Sequence, residues 1–424
     1  MGDDSKIARK IKSQITQFAD RLSNDFKKPT QKFMVHMLYG IQASKDVKLS
    51  NIARTLNEEI ALIKTENRLS GHVGREDLTE PINGQLIREG ARRIHQETVL
   101  ALDISDIDKP YAKKMEHLAL VRDGSTGEKR SHGYWLITVL GADVEGEDLI
   151  PLSGELYSQK AEGFRSENGE VLDAIDRVMG GGIGKKGIWA IDRGGDRSIL
   201  LRGLMGRELR FVVRLVGQRE LMLRDGRKEK ALRMAWRCHC PEQREVTVQR
   251  DGQRSKKMIS VGHVSVKLAF RDEPLSLVVV KGFGESPLML LTNLELKKVG
   301  VIRILEIYLT RWKCEESYRF IKQAYNLEDV RVLSYRALRN IVVLVQAVFY
   351  FVSVELGKKL KLNILLKKIF EKAKRFFEIP DFKHYAIADG IYRLLFASRT
   401  GIIPSPVRPR QNGQLLLPFA VQLS

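Results

Sequence analysis

The order of apolar runs between residues 96 and 216 most constrains the fold of this chain. Short runs with the composition of strands alternate with runs whose apolar residues recur at helical spacing. Along the chain they give three strands, a helix, a strand, a helix and a strand; the strand-like runs are 99–103, 133–140, 149–152, 187–192 and 209–215, and the helix-like runs are 171–178 and 198–208. This order predicts an α/β fold with helices packed on a central sheet.

The charge of the chain indicates a polyanionic partner. Its 72 Lys and Arg against 52 Asp and Glu give a net charge of +20 and a pI near 9.8, which suits nucleic acid. No apolar run reaches the roughly 18 residues that a membrane span requires, and the acidic residues among the first 30 are unlike a signal peptide. Cys238, Cys240 and Cys314 are too few for a disulfide framework. These features predict a soluble cytoplasmic protein that does not enter the membrane.

A polar stripe runs along the helical pattern at residues 308–322. Tyr308, Arg311, Glu315 and Lys322 follow the spacing Y-x2-R-x3-E-x6-K. At about 100° per residue, the four side chains fall on one helix face roughly 60° wide. The face places a carboxylate between cations and a phenol. An ordinary solvated surface with an Arg311–Glu315 pair is the alternative interpretation.

Two further carboxylates follow strand-like runs. Asp103 ends the run that begins at Val99, and Asp192 ends the run that begins at Gly187 and breaks into glycines. Acids at strand ends can meet at one edge of a sheet. We expect Asp103, Asp192 and Glu315 to form one site.

Neighbouring acids offer other assignments. Asp106 and Asp108 fall in what reads as a polar loop after Asp103, and Asp196 is placed to cap the helix that follows it. Glu316 lies about 100° away from the polar stripe. We therefore assign none of them to the site.

These residues together resemble the DDE transposases of bacterial and archaeal insertion sequences, in particular the branch named for its YREK signature. The resemblance covers about residues 98 to 350 and rests mainly on the stretch 308–322. The supporting blocks are Asp103-Ile-Ser105, Gly133-Tyr-Trp, Asp192-Arg193-Gly-Gly-Asp196 and Leu290-Leu-Thr-Asn293.

The resemblance implies an RNase H-like catalytic core that is interrupted by an inserted β domain. In such a core the first acid lies on the first strand, the second beside the fourth strand and the third on the last helix. The expected regions are an N-terminal helical, DNA-binding region at 1–95, the first part of the core at 96–216 and the inserted β-rich domain at 217–295. They are followed by the second part of the core with the catalytic helix at 296–356 and by a basic C-terminal helix with a tail at 357–424.

The three carboxylates predict the cofactor. Without His or Cys among them, they favour a hard ion such as Mg²⁺, with Mn²⁺ as a substitute. Two such ions could support in-line displacement at phosphorus. The resemblance implies that water and then a DNA 3′-hydroxyl attack, so that cleavage at transposon ends is followed by strand transfer into target DNA. A homodimer would hold the two ends.

The resemblance also assigns DNA contacts. It places Tyr308, Arg311 and Lys322 on phosphates near the cleaved end, and Arg193 is a further DNA-binding candidate. Trp236 and Trp312 are candidates for base stacking, with packing as the alternative. An RNase H-like nuclease without strand transfer and a domesticated DNA-binding protein are the alternative functions.

Several segments carry weaker signals. Residues 47–69 fit either a helix-turn-helix or part of a plain helical bundle. Asp225-Gly226 and Asp251-Gly252 predict hairpin turns, and 180–186 predicts a flexible turn. The apolar run 340–354 predicts a buried core helix, 357–378 a Lys-rich amphipathic helix, and 404–409 a loose tail. Cys238-His-Cys240 lacks the second ligand pair of a zinc site.

Overall fold

The computed structural model describes residues 2–122, 130–146, 148–250, 253–372, 382–398 and 400–402. Over these residues the chain is a mixed α/β protein built around one 12-stranded sheet. The strands are β1 Val99–Asp108, β2 Ala119–Arg122, β3 Arg130–Ala142, β4 Leu149–Tyr157, β5 Ile188–Ile191, β6 Phe211–Arg214, β7 Glu220–Met222, β8 Lys228–Lys230, β9 Glu242–Arg250, β10 Gln253–Leu268, β11 Arg271–Lys281 and β12 Leu288–Thr292.

The helices lie before, within and after the strand-rich part of the chain. They are α1 Gly2–Ser23, α2 Lys28–Ser44, α3 Leu49–Leu56, α4 Leu62–Val73, α5 Thr79–Ala91, α6 Glu167–Val178, α7 Ser198–Gly206, α8 Ala231–Arg237, α9 Leu296–Val299, α10 Val301–Thr310, α11 Trp312–Ala324, α12 Tyr335–Tyr350, α13 Lys358–Lys372 and α14 His384–Ser398.

The half of the sheet that carries the first two acids mixes parallel and antiparallel pairs. Its strands follow the order β4-β3-β1-β5-β6. β3 runs antiparallel to β1 and β4, whereas β1, β5 and β6 are mutually parallel. β5 pairs with the first part of β1 and ends beside Leu102, so the residue that follows β5 lies next to the middle of β1.

The predicted elements of this half are confirmed, with one correction. The runs predicted as strands form β1, β3, β4, β5 and β6, and those predicted as helices form α6 and α7. The polar loop predicted after Asp103 is wrong: β1 continues to Asp108, because Asp106 pairs with Trp135 and Asp108 with Gly133 on β3. The sequence also predicts a polar loop with Asp123 and Gly124 after the first strand, and both residues lie outside the described residues.

The segment 217–295 is rich in strands, as predicted. Its strands do not form a separate sheet: β12 pairs with β6, and β11, β10 and β7 continue the same sheet outward. Asp225-Gly226 makes the predicted turn between β7 and β8, where Gly226 adopts a φ of 84° that favours glycine. Asp251 and Gly252 lie outside the described residues.

The first five helices pack together with α12 and α14. In the segment 47–69, α3 and α4 form a contacting pair joined by residues 57–61, with Asn57 in the left-handed region. The segment is therefore a helix pair within a helical bundle. Whether it reads DNA stays a prediction.

The most apolar helix lies in the core. Tyr335–Glu355, which contains α12, has the length and composition of a membrane span, and 89% of its apolar window is buried inside the protein. This burial agrees with the predicted core helix, since core helices of water-soluble proteins pass the same length and hydropathy test.

Two predictions of loose segments have different outcomes. The turn predicted at 180–186 is present, because Gly182 and Gly184 adopt φ values of 101° and 60° and the chain kinks at Gly182, within the helical turn Met179–Ile183 that follows α6. Gly181 is tightly packed there, since a Cβ at this position would lie 2.3 Å from Ile87 Cγ2. The Lys-rich helix begins as predicted in α13, while its end at 373–378 and the tail at 404–409 lie outside the described residues.

Candidate active site

Strand register places the first two acids side by side. β1 and β5 are parallel neighbours in which Leu102 pairs with Ile191. The next residue on each strand is an aspartate, Asp103 and Asp192. Adjacent strands lie about 4.8 Å apart, so the register alone brings these two carboxylates together.

Asp192 is held by the turn that follows its strand. Its Oδ1 accepts a hydrogen bond of 2.7 Å from the Gly194 N–H and so caps the short 3₁₀ helix Arg193–Gly195. This bond fixes the direction of the side chain at the end of β5.

The sequence predicts one continuous helix for the polar stripe, and this prediction is wrong. The pattern divides into α10 and α11, with Arg311 at the turn between them. The Arg311 N–H bonds to Tyr308 O, and the Cys314 N–H bonds to Arg311 O, both three residues back rather than four. These tighter turns rotate Tyr308 away from the face that carries Glu315 and Lys322.

Arg311 joins the first and third acids. Its Nη2 donates to Glu315 Oε1 at 2.7 Å, and its Nη1 lies 3.5 Å from Asp103 Oδ2. The guanidinium side chain is only 5% exposed, whereas Glu315 is 50% exposed. Asp103, Asp192, Arg311 and Glu315 are together called the Arg311 cluster below.

The charges of this cluster are unbalanced, with three acids around one arginine. Burial, together with the nearby carboxylates of Asp192 and Glu315, raises the pKa of Asp103 to about 7 against the opposing effect of Arg311. Burial lowers the pKa of Arg311, but Asp103, Tyr308 and Glu315 together outweigh it, so the pKa of Arg311 is also raised. A site with this excess of negative charge attracts cations.

Tyr308 is buried under Arg311. The arginine Cζ lies 5.5 Å from the centre of the tyrosine ring, and the Tyr308 hydroxyl has no hydrogen-bond partner among the described residues. The expected phosphate contact from this hydroxyl would therefore require it to become accessible. The ring instead supports the guanidinium from below.

Lys322 lies at the other end of α11, in a second charged group. Its Nζ is 3.1 Å from Glu328 Oε1 and 3.7 Å from Asp106 Oδ2. Lys109 joins the same group by donating to the backbone oxygens of Glu328 and Val330. Asp106, Lys109, Lys322 and Glu328 are called the Lys322 cluster below. Lys322, expected on DNA phosphate, is paired with protein carboxylates in this structure.

The competing acids have other partners. The prediction that Asp196 caps α7 is wrong. Its carboxylate instead accepts hydrogen bonds from the Val216 N–H and from Arg219 Nε, each at 2.6 Å. Glu316 pairs with Arg319 on the adjacent face of α11. Neither acid is among the charges that shift the pKa of Asp103.

The remaining candidates for DNA contact are at the surface. Arg193 is exposed beside Asp192. Trp312, next to Arg311, is 45% exposed with its ring 6.3 Å from that of Phe283, and Trp236 on α8 is 54% exposed. Both tryptophans are accessible enough to stack on a base, although Trp236 lies outside the Arg311 cluster.

Tyr318 is the residue of this site that sequence reasoning missed. Its buried hydroxyl lies 2.6 Å from Asp103 O and 3.0 Å from Leu136 O, and it accepts from the Thr138 N–H at 3.0 Å. These bonds hold α11 against β1 and β3 at the level of Asp103. Its spacing of three residues after Glu315 was the available signal, since it places Tyr318 on a neighbouring helix face.

The donor atoms of the Arg311 cluster fit a hard divalent cation. Three carboxylates offer only oxygen ligands, and burial together with their mutual repulsion raises the pKa of Asp103, a cost that a bound cation would relieve. Their present spacing does not enclose an ion, since the described part of the chain contains no group of three acidic, His or Cys side chains close enough to hold one. Arg311 bridges two of the three acids instead.

The comparisons with known proteins add no relative. No family model and no curated protein sequence matches this chain. The argument for function therefore rests on the geometry of the Arg311 cluster and on the charge of the chain.

Proposed function

We propose that this protein is a DDE transposase that cuts DNA at the ends of its own element and joins them to target DNA. The observation that carries the proposal is the convergence of Asp103, Asp192 and Glu315, from two adjacent strands and a late helix, on one charged cluster. The sequence pattern predicts one site from the same three residues.

The strand order supports an RNase H-like core. Numbered one to five along the chain, the strands β1, β3, β4, β5 and β6 follow the order 3-2-1-4-5 across the sheet. The second of them runs antiparallel to the first. This is the arrangement that the resemblance implies, with the first acid on the first strand and the second acid directly after the fourth. The segment 217–295 then stands between the fifth strand and the helix of the third acid.

Asp103, Asp192 and Glu315 are the residues that would hold Mg²⁺. When bound, the ions would supply charge neutralisation at the scissile phosphate and activation of the attacking oxygen. The protein groups position these parts: Tyr318 fixes α11 at the backbone of Asp103, and Arg311 orients Glu315.

The surface near the site suits a DNA backbone. Arg193 is exposed beside Asp192, and Trp312 offers an aromatic face next to Arg311. With a net charge of +20, binding to transposon ends should weaken steeply with salt, because phosphate contacts release counterions. Two DNA ends would require two active sites, hence a homodimer.

The test is a cleavage and joining assay. Purified protein is incubated with Mg²⁺, a labelled duplex that carries the end of the element, and a target plasmid. We expect cleavage at the end and a joined product from the wild type. Glu315→Gln should lose both products, whereas Glu316→Gln, which changes the adjacent acid that pairs with Arg319, should retain them.

The outcomes separate the alternatives. Cleavage without joining, also with a pre-cleaved end, would indicate an RNase H-like nuclease. Binding to the end without Mg²⁺-dependent cleavage by either protein would indicate a domesticated DNA-binding protein. Equal loss in the two glutamate variants would contradict the assignment of Glu315.

A further inference from the structure

Arg311 takes the position of a bound cation in the Arg311 cluster. Its guanidinium is almost fully buried, and it reaches Glu315 at 2.7 Å and Asp103 at 3.5 Å. The Tyr308 ring covers one side of it. Both partners are acids to which we assign metal binding, so the guanidinium sits where their charges converge.

The hydrogen bonding of Arg311 is incomplete. Its Nε–H is buried without an acceptor among the described residues, which carries a cost for a charged group. The contact to Asp103 is long for a charge-assisted hydrogen bond, which normally spans about 2.7 to 2.9 Å. Arg311 is therefore held mainly by charge, through contacts that a stronger cation could replace.

Two cations cannot share these carboxylates without mutual repulsion. Two like charges a few ångströms apart repel each other strongly in a site that is largely shielded from water, and a divalent ion doubles this repulsion. A metal that approaches Asp103 and Glu315 must overcome this repulsion or displace the guanidinium.

We propose that Arg311 is an internal counter-ion that keeps the acid site closed in the metal-free protein and is displaced from Asp103 when a divalent cation binds. The inference rests on the proposed function, since it takes Asp103 and Glu315 as metal ligands. It adds that the affinity of the site for metal is set by competition with this arginine.

The contact lengths indicate how the displacement proceeds. The longer contact to Asp103 separates first, while the shorter bond to Glu315 joins residues four apart in the chain and persists longer. The Nε–H and the released Nη1–H are then two donors without an acceptor. A phosphate oxygen has the charge to satisfy both, so metal binding would prepare Arg311 to bind DNA.

The experiment measures Mn²⁺ affinity without DNA, from the electron paramagnetic resonance signal of free Mn²⁺. Arg311→Gln should bind Mn²⁺ at least about tenfold more tightly than the wild type, because the competing charge is removed. Arg311→Lys, which keeps the charge, should stay within about threefold of the wild type. Arg319→Gln removes an arginine from the same helix that pairs with Glu316, and it should leave the affinity unchanged.

A second measurement does not need Arg311→Gln, in case that variant does not fold. The ¹⁵N–¹H resonance of the Arg311 side-chain Nε is followed during a Mg²⁺ titration and assigned by its loss in Arg311→Lys. We expect a shift that saturates with metal binding, while the Arg319 resonance stays in place.

The results distinguish the inference from the proposed function. Mn²⁺ binding by the wild type that is not tightened in Arg311→Gln, or an Arg311 resonance that is unchanged at saturating Mg²⁺, would overturn the counter-ion role and leave the metal site intact. Absence of Mn²⁺ binding in the wild type and in Arg311→Gln alike would overturn the metal site and the inference with it.

Discussion

The two ends of α11 carry similar charged clusters that differ in balance. In the Lys322 cluster, two lysines face two acids, and Asp106 lies in mid-strand beside a lysine that is 19% exposed. In the Arg311 cluster, one arginine pairs with two of three acids, and burial and the neighbouring acids raise the pKa of Asp103 to about 7. Both clusters pin the same helix to β1.

The difference separates a structural ion pair network from a candidate active site. A balanced group of charges gains its stability within the protein. A group with acids in excess is stable only if a carboxyl group takes up a proton or if a cation is supplied from solution. Asp103 and Glu315 already outnumber Arg311, and the third acid, Asp192, which directly follows the neighbouring strand β5, increases the excess.

The distinction between the two clusters would be contradicted most clearly if removal of an acid from each had the same effect on cleavage. Asp192→Asn should reduce end cleavage by at least about a hundredfold, since loss of a metal ligand costs more than loss of a second-shell contact. Glu328→Gln should stay within about threefold of the wild type. Initial rates at saturating Mg²⁺ measure both, and comparable losses would show that the Lys322 cluster also serves catalysis.

Asp192→Asn should preserve the local structure, because the amide oxygen can still accept the hydrogen bond from the Gly194 N–H. A thermal unfolding midpoint within a few degrees of the wild type would confirm that the turn after β5 is retained. The ordinary cost of losing a helix cap is about 1 kcal/mol, too little to mimic the loss of a ligand.

The pH dependence of stability provides a second test of the difference between the two clusters. The pKa of Asp103 is about 7 in the folded protein because of burial and its neighbouring acids, against about 3.9 in the unfolded chain. The folded state therefore holds a proton that the unfolded state releases, and this group costs stability as pH rises from about 4 to 7. Asp103→Asn should stabilise the metal-free protein by about 2 kcal/mol at pH 8 and by little at pH 5.

Urea unfolding in EDTA at the two pH values tests this expectation. Asp106→Asn provides the control from the Lys322 cluster: it removes a partner of Lys322, so it should lower stability at pH 8. A wild type more stable than Asp103→Asn at pH 8 would contradict the unbalanced charge of the Arg311 cluster.

Local signals in the sequence account for the parts of the site that were predicted. Asp103 and Asp192 follow apolar runs, and the order of those runs implies adjacent parallel strands, so their approach follows from topology. Glu315 was separated from Glu316 by helical phase alone, and the pairing of Glu316 with Arg319 agrees with that distinction.

The errors arose where distant contacts decide the local structure. Asp106 was assigned to a loop because its neighbourhood is polar, but pairing with β3 extends β1 through it and brings it to Lys322. The turn at Arg311 depends on hydrogen bonds three residues back, which no residue type in the stretch signals. The continuation of the sheet through β12 depends on pairing between segments about 75 residues apart, for which a single sequence carries no direct signal.

The smallest expected effect concerns Lys322 itself. Lys322→Gln should lower the free energy of unfolding by about 1 kcal/mol, because the ion pairs are partly exposed and Lys109 remains in the cluster. It should leave Mn²⁺ affinity within about twofold of the wild type, unlike Arg311→Gln, because Lys109 remains beside Glu328 and still opposes a bound cation. If Lys322→Gln instead tightened Mn²⁺ binding as strongly as Arg311→Gln, the excess of acids would not be what distinguishes the two ends of α11. The position of a cation between two carboxylates would then be sufficient to define a metal site.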